Sequence, residues 1–492
     1  MPSFAHSGGP RHRIHADRGS TAIGTVRRAC FLLPAPRPLP LPLPPAPMPQ
    51  RNLLILLIAT GISSALYAIG EQNPYARYAA RGLAEIEAGA LEHVPNEELF
   101  DAAMEAMVDL LHQQGDEHSQ FITRQDADPF RAEMRQQFGG IGVRIRFTGE
   151  PPQLVVVGSP DPGTPAARAD IRAGDRILKI DDGPTDGMTM AEVLQAMRGE
   201  PGEPIRLSIQ HADADMTETL TLIREVITVD SILGDRRNAD GSWEFRLEND
   251  PRIALVRVTI FANRTVQELE RTLTELTAAG VEAVVLDLRD DSGGALDVAV
   301  AICDMLLPAG LPIVEIRGRG GRLHERYETS GDGQFMNLPL AVLVNNQSAS
   351  ASEIVAACLQ DHRRTVIVGQ RSFGKGTVQK LIPTEAGQSL LKLTSASYWR
   401  PSGRNIHRSS DAQQSDDWGV SPDLGFDVPY TDEQYEAFRK DRNDRDLIVA
   451  SPPDDAQPVD DAAVDADAKF VDGQLEKAVE YLQSELAGQQ AG

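Results

Sequence analysis

Three spacings of apolar residues succeed one another along the chain. Leu, Ile, Ala and Met recur at helical intervals from about Pro74 to Gln114 and stop at the polar run Gly115-Asp-Glu-His-Ser-Gln-Phe-Ile122, which predicts a helical N-terminal region over residues 71–135. From Gly139 the interval drops to two. Ile141, Val143 and Ile145 alternate, residues 154–157 form a short strand, and Ile205, Leu207 and Ile209 alternate again, so a β-rich module is expected over 136–228. After Val229 the apolar runs 253–260, 283–288, 340–344 and 365–368 read as strands separated by helical stretches, an α/β domain over 229–430. Leu475, Ala478, Val479, Leu482 and Leu486 predict a closing helix over 469–488 that packs on the core, and the polar, Asp-rich residues 431–468 before it are expected to be an acidic linker.

The N-terminus follows another logic. Residues 1–47 mix Arg and Gly with a Pro-rich run and cannot bury a core, so they are expected to be disordered. Because Met48 can itself begin translation, the segment is also expected to lie outside the translated protein. Arg51 then precedes 17 uncharged, mostly apolar residues, 53–69, which is the layout of a signal peptide or a single-span membrane anchor over 48–70. Ala68 would suit a cleavage site but Leu66 would not, so both alternatives stand. Either one implies export, to the periplasm or to the outer face of the inner membrane.

Composition narrows the chemistry. With 492 residues there is room for about three folded units. Acidic residues exceed basic ones by 72 to 48, a net charge of −24, which excludes nucleic acid as a natural partner. Residues 411–492 carry 21 acidic against 6 basic side chains and read as a solvated tail. Cys30, Cys303 and Cys358 are too scattered for a disulfide framework or a zinc site, so no metal is implied, and Cys303 and Cys358 read as small core residues on helices.

Within the β-rich module, Gly163-Thr-Pro-Ala-Ala-Arg-Ala-Asp-Ile-Arg-Ala-Gly-Asp-Arg-Ile-Leu-Lys-Ile-Asp181 gives a short helix, a turn and a strand, followed by a helix at 190–197. This resembles a PDZ domain of the circularly permuted bacterial kind. Such domains add a peptide chain end to a sheet edge and hold its carboxylate on backbone amides. Gly139, Gly140, Ile141 and Gly142 are the candidate carboxylate loop, with ordinary turn formation as the competing reading.

The α/β domain holds the candidate chemistry. The strand 340–344 runs through a polar turn into the helical stretch that starts near Ala349, placing Ser350 at a strand-to-helix junction beside free amides and the positive end of a helix dipole. Ser350 there is an N-cap or a nucleophile, and Ser348 and Ser352 compete for either role. His362 lies 12 residues farther along the helix, about 18 Å away, too far to act as its base. The Gly-x-Ser-x-Gly pattern of the α/β-hydrolases is absent, since Ala349 and Ala351 flank the serine. Farther on, Gly369-Gln-Arg-Ser-Phe-Gly-Lys-Gly-Thr mimics a phosphate loop, but Gly376 stands where a Ser or Thr is needed and a strand follows, so nucleotide binding is rejected. Lys375 is then a loop lysine in solvent or a base whose proton is removed by burial.

The ordered set of motifs is more specific than any one of them. Ser-Ala-Ser-Ala-Ser-Glu (348–353) and Phe-Gly-Lys-Gly-Thr-Val-Gln (373–379), with the Asp116–Phe121 region, Gly-Ile-Gly-Val (140–143), Leu-Asp-Leu-Arg (286–289), Gly293-Gly294, Tyr398–Ile406 and Val-Ser-Pro-Asp (420–423), resemble the carboxy-terminal processing, or tail-specific, serine peptidases over residues 75–430. The resemblance implies a crotonase-like α/β peptidase core with an inserted PDZ module. It implies a serine-lysine dyad with Ser350 as nucleophile, Lys375 as general base and Gln379 as its orienting partner. The oxyanion would be held by backbone amides of Ala351, Gly293 and Gly294, no cofactor would be needed, and the partners would be proteins with exposed C-terminal tails. Two departures stand out. Relatives commonly carry Asn-Pro where this chain has Asp291-Ser292, and Lys375 and Gln379 in an extended strand would be about 13 Å apart, so pairing them requires the chain to curl. A homo-oligomer is compatible with the sequence, and a catalytically inactive scaffold that binds protein C-termini is the rival reading.

Overall fold

The protein is described by a computed structural model covering residues 57–58, 60–61, 73–134, 137–212, 216–409, 411–448 and 470–490. The Pro-rich segment 1–47, almost all of the signal or anchor segment 48–70, and residues 449–469 of the expected linker region lie outside the described residues. Among the described residues no helix is long and apolar enough to cross a membrane. The chain divides into two units between Ala84 and Glu85.

The α/β domain is built on a sheet in the order Ile232–Leu233, Ile253–Val258, Ala283–Asp287, Leu340–Val344, Val366–Gly369, parallel except for its first strand. Successive residues of a strand point to opposite faces, so a run that is apolar throughout must be covered twice. Ala254, Val256, Val284, Leu286, Val342 and Val344 meet the helices Thr265–Ala278, Leu296–Leu306 and Ala351–Asp361. Ile253, Leu255, Val285, Ala341 and Leu343 meet Ala478, Leu482 and Leu486 of the C-terminal helix Gly473–Gln490. Each fully buried Leu or Ile contributes roughly 2 kcal/mol, so the last helix completes the core rather than decorating it.

A second sheet packs beside the first. Ser389–Trp399 is its long central strand, paired with Gln120–Ile122, Pro312–Gly318 and Thr377–Thr384, while Leu323–Glu328 extends it beyond Pro312–Gly318. The N-terminal region therefore supplies a strand as well as the helices Asn96–His112 and Arg124–Met134. The polar run that ends the helical spacing leads directly into it: Phe121 and Ile122 are buried and pair with Leu391 and Leu390.

The β-rich module carries an antiparallel sheet, Ile145–Thr148, Gln153–Val156, Arg176–Ile180, Pro204–Gln210 and Thr217–Ile223, around a core of its own that includes Leu154, Ile177, Ile205, Leu207 and Ile209. Gln137–Gly140 pairs antiparallel with Glu225–Thr228, bringing the entry and exit of the module together.

One expectation needs correcting. Residues 432–445, assigned to an acidic linker, form the helix Asp432–Arg445. Thr431 and Gln434 make a capping box, two acidic residues open the first turn and Arg442 and Arg445 close the last, the arrangement a helix dipole favours. The charges are not left to solvent: Arg442 and Arg445 both pair with buried Asp235, and Phe438 is buried against Tyr430 and Phe470. Beyond the helix, Asp446 pairs with Arg257 of the core, and the carbonyl of Ile448 accepts a hydrogen bond of 3.0 Å from Ser159 of the PDZ module. The segment is a strut between the two.

Candidate active site

Three loops leave the carboxyl ends of adjacent parallel strands, the position where α/β sheets present their chemistry. They are 288–294 after Ala283–Asp287, 345–350 after Leu340–Val344, and 370–376 after Val366–Gly369.

The middle loop ends at Ser350, the N-cap of the helix Ala351–Asp361, with φ 56° and ψ −111°. A non-glycine residue in this region costs about 1–3 kcal/mol and persists only where its surroundings hold it. Here they do. Ser350 N–H donates to Glu353 Oε2 at 2.8 Å, Ile354 N–H donates to the Ser350 carbonyl at 3.0 Å, and Gly293 closes in from the neighbouring loop. A Cβ on Gly293 would lie 2.5 Å from the Ala349 carbonyl oxygen and 2.9 Å from Ser350 Cβ, so only glycine lets the two turns touch. Ser350 is 6% exposed. It neighbours Tyr398, whose buried phenol is pushed up to about 12, chiefly by burial and against Ser350.

Glu353 is the hub of the site. It is fully buried, and besides Ser350 it accepts from Ser372 Oγ (2.5 Å), Gly374 N (2.7 Å) and Lys375 N (2.8 Å). Ser350 N and Lys375 N donate to the same oxygen, so the two backbone nitrogens lie no farther apart than twice 2.8 Å. Burial raises the Glu353 carboxyl to about 7, against the four donors. The Val-Ser-Pro-Asp motif supports the same loop: Val420 N–H donates to Ser372 Oγ at 2.7 Å, and Asp423 accepts from Ile367 N at 2.7 Å.

Lys375 is half-buried, and its ammonium is held below the usual lysine range, first by burial and then by Lys392, with Glu353 opposing. His118 is also held low, by burial first and by Lys375 next, so a cationic neighbourhood disfavours a proton on the lysine. The chain does curl here: Gly374 has φ 87°, Gly376 N–H turns back to the Gly374 carbonyl, and a β-bulge separates Val378 from Gln379. The curl does not deliver Gln379 to the lysine. Gln379 Nε2 donates to Thr377 Oγ1 (2.9 Å) and weakly to Thr394 Oγ1 (3.5 Å). Thr394 in turn is tied to the N-terminal Asp116–Ser119 turn: its Oγ1 donates to Asp116 Oδ1 at 2.8 Å and its backbone N–H donates to Ser119 Oγ at 2.9 Å.

Of the expected oxyanion donors, Ala351 and Gly294 have N–H groups with no acceptor among the described residues. Gly293 does not: its N–H donates to Asp291 Oδ1 at 2.8 Å, because Asp291 folds back over the turn. The first loop is anchored by the Leu-Asp-Leu-Arg motif. Buried Arg289 forms paired hydrogen bonds with Asp287 and with Asp472, at the start of the C-terminal helix, and its guanidinium lies 4.4 Å from the Phe438 ring centre.

In the PDZ module, Gly139 and Gly140 are paired in a strand, Ile141 is buried in the module core, and the Ile141 carbonyl accepts from Ala166 N at 2.9 Å. Only Gly142, at φ 78° and packed on Thr164, has the form of a loop residue, so the four residues do not make one open cradle. Cys303 and Cys358 are buried helical thiols, and His362 gives Nε2 to the Pro312 carbonyl at 2.7 Å, far along the helix from Ser350. The two most telling residues that sequence reasoning did not assign are Glu353, which stood inside the quoted motif, and Tyr398, which opened another.

Residues 252–425 match peptidase family S41, and residues 156–211 match a PDZ domain. The chain is 32% identical over 425 residues to a carboxy-terminal-processing protease of Bartonella bacilliformis, covering 85% of this chain and 90% of that one. It is 29% identical over 336 residues to a probable CtpA-like serine protease of Staphylococcus aureus, covering 68% of this chain and 61% of that one. Among solved structures it resembles a photosystem II D1 C-terminal processing protease, with 28% identity, coverage of 71% and 86%, and a TM-score of 0.41. A peptidase domain that brings a helix-capping serine and a half-buried lysine onto one carboxylate, interrupted by a PDZ module and 32% identical to a named protease along most of both lengths, places the chain in the carboxy-terminal-processing protease family of S41 serine peptidases.

Proposed function

We propose that the protein is an exported endopeptidase that captures the C-terminal tail of a protein substrate through its PDZ module and cuts with Ser350 and Lys375. The observation that carries this reading is the shared Glu353 oxygen, which fixes the backbone of both residues at one point. Neutral Lys375 takes the Ser350 proton as Oγ attacks the peptide carbonyl. The developing oxyanion is stabilised by the amides of Ala351 and Gly294, which lie at or beside helix N-termini. Lys375 returns the proton to the leaving amine, and water then hydrolyses the acyl-enzyme on Ser350. In this arrangement Gln379 shapes the strand entrance rather than orienting Lys375.

Export is supported by the uncharged run 53–69 behind Arg51. Tail capture is supported by the PDZ match and by Gly142, which permits close backbone approach. Ser350→Ala and Lys375→Ala should each abolish cleavage of a substrate with an exposed nonpolar tail, read as new peptide termini by mass spectrometry, while the fold persists. Undiminished turnover in either variant would overturn the assignment. Amidating the substrate's C-terminus should raise KM and leave kcat little changed, and the mass of the native N-terminus reports export.

A further inference from the structure

Asp291 is the buried acidic side chain of the oxyanion loop, and it finds no cation among the described residues. It is 0% exposed; Oδ1 accepts from Gly293 N at 2.8 Å, while Oδ2 is buried with no hydrogen-bond partner among the described residues. Its backbone carbonyl accepts from Ala349 N at 3.0 Å and from Ser352 Oγ at 3.1 Å, so the residue joins the Gly293-Gly294 turn to both sides of Ser350.

Every charged group around it is committed elsewhere. From its own loop, Arg289 faces Asp287 and Asp472, and Asp290 faces Asn345 and Tyr435. From the Ser350 helix, Ser352 presents only a hydroxyl, and Glu353 spends both oxygens on Ser350, Ser372, Gly374 and Lys375. A carboxylate at this place would be a buried charge without a counter-ion, whereas a carboxylic acid leaves one hydroxyl unsatisfied, the smaller cost. Burial accordingly pushes the Asp291 carboxyl well above the usual carboxylate range, against the Gly293 amide and the Ser352 hydroxyl.

We infer that Asp291 works as an uncharged carboxylic acid that positions the turn carrying the oxyanion amide of Gly294, and that its ionisation shuts off activity on the alkaline side. The inference rests on the catalytic reading above and adds a regulator to it. An anion at Asp291 would stand behind the Gly293 peptide, where it would repel the negative charge that builds on the attacked carbonyl and compete for the Gly294 N–H. Lys375 must lose a proton to act and Asp291 must keep one. The working window is bounded by a lysine on the acid side and an aspartic acid on the alkaline side, the reverse of their ordinary order.

Asp291→Asn keeps the shape and stays neutral at every pH. With a peptide ending in nonpolar residues, wild-type kcat/KM should fall tenfold per pH unit on its alkaline limb, and Asp291→Asn should lack that fall. A second readout is independent of catalysis. An acid whose folded pKa is raised contributes stability that is complete below its unfolded value of 3.8 and is lost as pH rises towards the folded value, so Asp291→Asn should gain on wild type by tenfold in the folding constant per pH unit across that window. Superimposable alkaline limbs overturn the inference, and so does a stability difference that does not change with pH. A Ser350→Ala protein with unchanged turnover would instead sink the catalytic reading, so the two failures are told apart.

Discussion

The peptidase core and the PDZ module differ in how far buried carboxyl groups hold their turns. In the core, the turns around Ser350 are tied down by carboxyl groups that solvent does not reach: Asp287 on Arg289, Asp291 on Gly293, and Glu353 on four donors. In the module one buried carboxylate, Asp175, accepts from the backbone of Arg172 and Ala212, Glu192 closes a capping box with Thr189 at the surface, and the core cluster is aliphatic. Chemistry requires atoms fixed to a fraction of an ångström, and low-dielectric polar contacts supply that at a high cost if they fail. Capturing a chain end asks mainly for a sheet edge and free amides, which an apolar core can support.

The sharpest way to break the contrast is Glu353→Ala. It orphans four buried donors at about 1–3 kcal/mol each, so a loss of about 4 kcal/mol or more and at least a ~100-fold fall in kcat are expected, measured by urea unfolding and by peptide cleavage. Arg289→Ala comes next. It leaves Asp287 and Asp472 buried without their cation and should cost about 3–5 kcal/mol, with the C-terminal helix losing hydrogen-exchange protection first. Smaller is the acid limb of the pH profile. Lys375 acts when neutral and Glu353 anchors the loop when ionised, so kcat/KM should fall about tenfold per pH unit below about 7. Stability should run the other way, since the raised Glu353 carboxyl favours the folded state most below 4.5 and loses that contribution as pH climbs through about 7. A profile flat from pH 5 to 8 would contradict the hub. Smallest is Thr189→Ala in the module, where loss of a surface cap should cost about 1 kcal/mol and leave kcat unchanged. A penalty there as large as that of Arg289→Ala would erase the difference between the two regions.

What the sequence reveals follows the same division. Apolar runs located the four parallel strands because double-sided burial leaves no polar alternation, and period-two spacing located the strands of the module. Motif order singled out Ser350 and Lys375, which the fold brings onto adjacent loops. Their connection was not legible: Glu353 looks like an ordinary first-turn acid until Ser372, Gly374 and Lys375 are folded over it, and those contacts span 19 to 22 residues. The pairing of Gln379 could not be read because one bulge decides which side chains meet. The engaged amide of Gly293 depends on a carboxyl folding back by two residues. The helix Asp432–Arg445 was hidden by its charges, whose partner Asp235 lies some 200 residues earlier in the chain.

Since one side chain clasps both loops, the backbones of Ser350 and Lys375 are held together independently of how the strand Thr377–Thr384 registers against its neighbour. Sliding or fraying of that strand would therefore leave the two loops in step, a clasp that tolerates movement at the edge of the sheet beside it.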